Sequence, residues 1–122
     1  VVLAPLLLYS LELIYLVIGG ISMKNIELVS WKETNEKGKE IILTTANLIT
    51  TIISTALMKE NLTGFDNLRL INRLATAVDN IKDNKLSLED ADFEILKNWF
   101  EKYTPAQWGK MPEVYNALKV FL

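Results

Sequence analysis

The sequence predicts a mainly α fold: a short N-terminal β-hairpin packed on three to four helices, preceded by an apolar and helical N-terminal segment. Three observations carry this expectation. Apolar residues recur at spacings of three and four over 48–57, 68–81 and 93–103. Two short runs rich in β-branched and apolar residues, 25–32 and 40–43, flank a polar loop. The composition is globular: 122 residues, 50% apolar and 23% charged, enough for one core and not for two.

The first 22 residues, VVLAPLLLYSLELIYLVIGGIS, stand apart, with one acid (Glu12) and none of the 13 basic side chains. As a helix, Val1 to Ile18 spans roughly 27 Å, close to the hydrocarbon thickness of a bilayer. Against a membrane span, Glu12 costs about 2.5–3.5 kcal/mol near the middle, and no basic residues precede the run as in a signal peptide. Three readings stand. Residues 1–22 are translated upstream sequence and Met23 is the start, because a purine-rich ribosome-binding sequence reads as Gly19-Gly20 in one frame. Alternatively Leu3 to Ile18 is a membrane anchor or signal remnant. In the third reading the segment is a core or partner helix. The expected organisation is therefore an apolar extension, 1–22, and a small helical domain with an N-terminal hairpin, 23–122.

In that domain, NIELVSWK (25–32) alternates as a strand does. The polar run Glu33–Lys39 follows, with Gly38 able to supply a positive φ, and Glu40–Leu43 is the return strand. Thr44 or Thr45 caps a helix bearing Leu48, Ile49, Ile52, Ile53, Ala56 and Leu57, which runs to Glu60. Asn61–Gly64 breaks the pattern. Leu68, Ile71, Leu74, Ala75, Val78 and Ile81 then form the core stripe of a second helix, ending near Asp83–Lys85. Ser87-Leu88-Glu89-Asp90 reads as the capped start of a third helix whose apolar face is Phe93, Leu96, Trp99 or Phe100, and Tyr103. Thr104-Pro105-Ala106-Gln107 opens a short turn of helix with proline in its first position, and Pro112-Glu113 opens a last helix with Val114, Tyr115, Leu118 and Phe121.

The chain has no cysteine and no histidine, which excludes disulfides, thiol nucleophiles, Ser-His-Asp triads and Cys/His zinc sites. A net charge of −2 without a basic run argues against nucleic acid. Five glycines, adjacent only at Gly19-Gly20, form no phosphate loop. Neither a cofactor nor a metal is expected. Asp79–Asp90 has the length of a calcium loop, but Ile81 stands third, Asn84 replaces the turn glycine and Asp90 replaces the final glutamate. It reads as a helix end, a short loop and a capped helix start. Glu89, Asp90, Asp92 and Glu94 read as a solvated face in the first turns of a helix, where the dipole favours acids. Asn61-Leu62-Thr63 is a coincidental glycosylation triplet. The aromatics Trp99, Phe100, Tyr103, Trp108 and Tyr115 complete the core, anchor an interface or, beside Lys97, Lys102 and Lys110, stack on single-stranded nucleic acid; core is favoured, and the interleaved acids count against the last.

From Met23 onward the order of small motifs is Gly38-Lys39, Leu43, Ala56-Leu57, Leu74-Ala75 with Ile81, and Leu86-Ser87-Leu88-Glu89-Asp90. Tyr103-Thr104-Pro105, Gly109, and Val114-Tyr115 with Leu118 complete it. This layout resembles a group of small phage and prophage proteins of about 90–100 residues, generally without an assigned activity. Trp99-Phe100 is more aromatic than that pattern. The resemblance implies a non-enzymatic accessory protein in assembly or regulation, in the host cytoplasm or on the virion, and transfers no catalytic residue. The expected partner is another protein, viral or host, met by Trp99, Tyr103, Trp108 and Tyr115. The alternative is a single-pass, holin-like or membrane-docked protein anchored through Leu3 to Ile18. A membrane partner is expected only if residues 1–22 belong to the mature chain, and the oligomeric state is left open.

Overall fold

The computed structural model describes residues 22–122. Its elements are β1 (Met23–Glu27), β2 (Ser30–Thr34), β3 (Glu40–Thr44), α1 (Thr45–Lys59), α2 (Phe65–Asp79), β4 (Lys85–Glu89), α3 (Asp90–Tyr103) and α4 (Pro112–Ala117). A 3-10 turn at Ala106–Lys110 precedes α4 and another at Lys119–Phe121 follows it. The readings of residues 1–21, as extension, anchor or helix, lie outside the described residues.

The fold is α+β and not mainly α. Among the described residues, helix accounts for 57% and strand for 21%, and the strands form two separate two-stranded antiparallel sheets. One is the expected hairpin, β2 with β3, in which Trp31 faces Leu43. Its loop is built on Asn35, whose Oδ1 accepts from the backbone N–H groups of Lys37 and Lys39, and on Gly38 at φ +77°. The other sheet joins β1 to β4, with Ile26 opposite Leu86 and Asn25 opposite Ser87. The expected strand over 25–32 is thus two strands. They part at Leu28-Val29, where the Leu28 N–H donates to the Asn84 carbonyl at 2.7 Å and the Thr45 N–H donates to that of Val29 at 3.0 Å.

Residues 85–89 correct a second expectation. Lys85-Leu86-Ser87-Leu88-Glu89 buries Leu86 and Leu88 and exposes Lys85 and Ser87, the period of a strand. Ser87 is not a cap: its hydroxyl donates to Asn25 Oδ1 across the sheet, and α3 begins after Glu89 with no side-chain cap. Asp83 and Asn84, at φ 54° and 59°, make the tight turn that starts β4, with positive φ at both central positions as a twisted hairpin requires. The segment read as helix end, loop and helix start is therefore helix end, tight turn and strand.

Other elements form for local reasons. Thr44 caps α1 reciprocally: its Oγ1 accepts from Ala46 N–H and its own N–H donates to Asn47 Oδ1. Thr51 and Thr55 on its exposed side return their hydroxyls to carbonyls four residues back. Gly64, at φ +89°, precedes α2. Pro112 begins α4 as expected, whereas Pro105 lies outside the 3-10 turn rather than in its first position, and no side-chain cap forms there.

The core gathers Ile26 and Leu86 from the β1–β4 sheet, Ile49 and Ile52 from α1, Leu74 from α2 and Leu96 from α3, all fully buried. Phe121 closes one end, its ring 4.4 Å from that of Phe100 and 5.6 Å from that of Phe93.

A candidate docking groove between two helices

The four aromatics expected to form a contact surface do not share one environment. Trp99 is 3% exposed and belongs to the core. Tyr103 and Trp108 are half-buried against it. Tyr115 is the open one, 50% exposed, with Lys119 Nζ 6.0 Å from its ring.

Larger apolar exposure lies elsewhere, on α1 and α2. Helix α2 turns Leu70 and Leu74 into the core. Leu68, 63% exposed, with Ile71, Ala75 and Val78, runs along another side at the 3-4-3 spacing of a helix-packing seam. The expected core stripe of α2 is therefore only partly core. Across from it stand Ile53 and Leu57 of α1. Between the helices lie two adjoining depressions that share Ile71. One, of about 480 Å³, is lined by Leu57, Leu62, Phe65 and Leu68. The other, of about 200 Å³, is lined by Ile53, Ala75 and Val78, with Thr50, Ser54 and Asp79 on its polar rim. Phe65 and Met58, 75% and 78% exposed, extend the apolar surface at the wide end. Exposed apolar side chains grouped in this way, rather than scattered singly, mark a contact surface.

Two polar anchors hold the groove walls. At the end of α1, Glu60 Oε2 accepts from Tyr103 Oη at 2.7 Å and from Lys102 Nζ at 3.0 Å, tying α1 to α3. These bonds, the tyrosine's first, hold the Glu60 carboxyl below the ordinary glutamate value, and the same carboxylate holds Tyr103 and Lys102 above theirs. A depressed acid contributes stability above its unfolded-state pKa and loses it as pH falls through the folded value. Glu60→Gln is therefore expected to lower the urea midpoint at neutral pH, with the difference from wild type closing below the ordinary glutamate range. On the alkaline side the anchor weakens as pH rises through the raised Tyr103 and Lys102 values. A gap between the two proteins that stays constant into acid contradicts this assignment.

The second anchor corrects the solvated-face reading of the acids. Asp92 is buried, and its two oxygens accept from Arg73 Nε and Nη2 of α2, both at 2.9 Å. The pair forms part of the wall of a polar cleft of about 450 Å³ between α2 and β4. Among the described residues, no three acidic side chains gather in a way that would hold a metal ion.

The groove went unread in the sequence because α2 carries two apolar stripes side by side, Leu70 with Leu74 and Leu68-Ile71-Ala75-Val78. The excess over what one core needs was the available signal. No protein-family model, curated protein or solved structure matches this chain.

Proposed function

We propose that this protein is a non-enzymatic interaction partner of phage or prophage type, in assembly or regulation, that receives the apolar face of a partner helix in its α1–α2 groove. The observation that carries this reading is the unpartnered 3-4-3 seam of α2 beside Ile53 and Leu57. Such a groove takes anchors at the i, i+3, i+4 and i+7 positions of an amphipathic helix. It replaces the C-terminal aromatics as the contact surface, because Trp99 is core and Tyr103 is engaged with Glu60. The phage-type assignment draws its support from the motif order that begins at Met23.

Leu68→Glu tests the reading. Leu68 is exposed, so the substitution is expected to change stability by no more than about 0.5 kcal/mol. Loss of a groove anchor of about 2 kcal/mol weakens capture of the partner from the native source about 30-fold. Unchanged capture by a folded Leu68→Glu protein contradicts the reading.

The uncharged run flanking Glu12 favours a second reading, a single-pass protein anchored through Leu3 to Ile18. No helix among the described residues is long and apolar enough to cross a membrane. Under this reading the full chain sediments with membranes in high salt; under the first it does not.

A further inference from the structure

We propose that the polar cleft between α2 and β4 binds a small phosphomonoester of the sugar-phosphate kind, its phosphate held by Arg73, Lys82 and Lys85. The site is separate from the docking groove and does not depend on it.

The first support is a pair of like charges that the backbone sets side by side. Lys82 and Lys85 flank the tight turn at Asp83-Asn84 and exchange both backbone hydrogen bonds. The Lys85 N–H donates to the Lys82 carbonyl at 3.0 Å, and the Lys82 N–H donates to that of Lys85 at 3.3 Å. Residues bonded in this way project their side chains on one side of the ladder, with Cβ atoms about 5 Å apart, and like charges there repel. Both lysines line the cleft. Among the described residues neither reaches a carboxylate within salt-bridge distance, although Glu27 stands opposite Lys85 on β1. A phosphate dianion between them replaces the repulsion with two attractions.

Arg73 is a third cation, and it is already oriented. Asp92 holds its Nε and Nη2, both at 2.9 Å, which leaves Nη1 for a ligand, and the side chain is 42% exposed. Asp92 neutralises Arg73, so in the lining two lysines stand against one further carboxylate, Glu89.

The neutral groups of the cleft define the rest of the ligand. Asn72, Thr76 and Asn80 recur at every fourth residue of α2, on a side turned away from the groove. Two amides and a hydroxyl, with Glu89 as a strong acceptor, suit the donors and acceptors of a polyol. No aromatic side chain among the described residues lines the cleft, so a nucleobase has nothing to stack on. A volume of about 450 Å³ admits a molecule of sugar-phosphate size, well beyond bare phosphate.

Titrating the isotope-labelled full chain with glucose 6-phosphate at low salt is expected to shift the amide signals of Thr76, Asn80, Lys82 and Lys85 saturably, with a midpoint on the order of 1 mM. Inorganic phosphate and free phosphoserine are expected to act on the same signals about tenfold more weakly, and glucose not at all. Lys82→Gln is expected to weaken glucose 6-phosphate binding about tenfold. The same variant is expected to keep or slightly raise the urea midpoint, because it also removes the repulsion with Lys85. These opposed effects separate a ligand contact from a structural one. The proposal is overturned by the absence of saturable shifts, by shifts centred on other lysines such as Lys37 and Lys39, or by undiminished binding in Lys82→Gln. An equal response to glucose overturns it, because the phosphate is then idle. Phosphate or phosphoserine binding as tightly as glucose 6-phosphate overturns it too, because the hydroxyl contacts are then idle.

Discussion

Trp99→Ala is expected to destabilise the protein by about 3–5 kcal/mol, the range for removing a buried aromatic from a packed interior. The loss combines the transfer free energy of the indole with the cavity left on the buried face of α3, which the surrounding backbone closes only in part. A domain of this size has about 5–15 kcal/mol in total, so the variant sits near its unfolding midpoint under mild conditions. Urea denaturation followed by circular dichroism reads the effect. Trp108→Ala, at a half-buried site, is expected to fall well below it, and Tyr115→Ala at an open site lower still. The ranking follows exposure. Were Trp99→Ala to fold with near-wild-type stability, Trp99 would not be core and the aromatic C-terminal quarter would again be the contact surface.

The second large effect is expected at Arg73. Arg73→Met leaves the Asp92 carboxylate, 4% exposed at the side chain, without its bidentate partner. Stranding a fully buried charge costs about 3–5 kcal/mol. The Arg73 side chain is 42% exposed, so water relieves part of that, and about 2 kcal/mol is expected. The double variant Arg73→Met with Asp92→Leu is expected to regain most of the loss, because two apolar side chains leave nothing unpaired. A double-mutant cycle in denaturant separates this from simple loss of packing: a coupling near zero would show that the ion pair holds nothing. The pair matters beyond stability. Helix α2 fully buries only Leu70 and Leu74, so Arg73 is a main constraint on how α2 sits against β4 and α3. Partner capture through the groove should therefore weaken in Arg73→Met even where the protein remains folded.

The sequence was legible where structure is local. Thr44 marks the start of α1, Phe93-Leu96-Trp99-Phe100 the inner face of α3, Pro112 the last helix, and Gly38 the hairpin loop. It was misleading where a local signature competed with a distant partner. Ser87 followed by acids looks like a helix cap, yet it pairs with Asn25 62 residues earlier, and nothing near Ser87 announces that strand. The alternation of Leu86 and Leu88 was present but covers a single period, too short to outweigh the capping pattern. Asp92 was misjudged for the same reason: acids early in a helix are usually solvated, and only the fold brings Arg73 to this one. In α2 the periodicity was real but does not say which of two stripes meets the core. Choosing between them requires knowing that Leu70 and Leu74 are the ones turned into the common core, which is tertiary information.

The docking claim is tested most directly by a photo-crosslinker placed in the groove. With p-benzoylphenylalanine substituted at Leu68, irradiation in the native source is expected to yield one dominant adduct, which mass spectrometry maps to an apolar helical stretch of the partner. The same group at Asn98, exposed on α3 away from the groove, is expected to yield none above background. Equal labelling from the two positions, or adducts from Asn98 alone, would contradict the account.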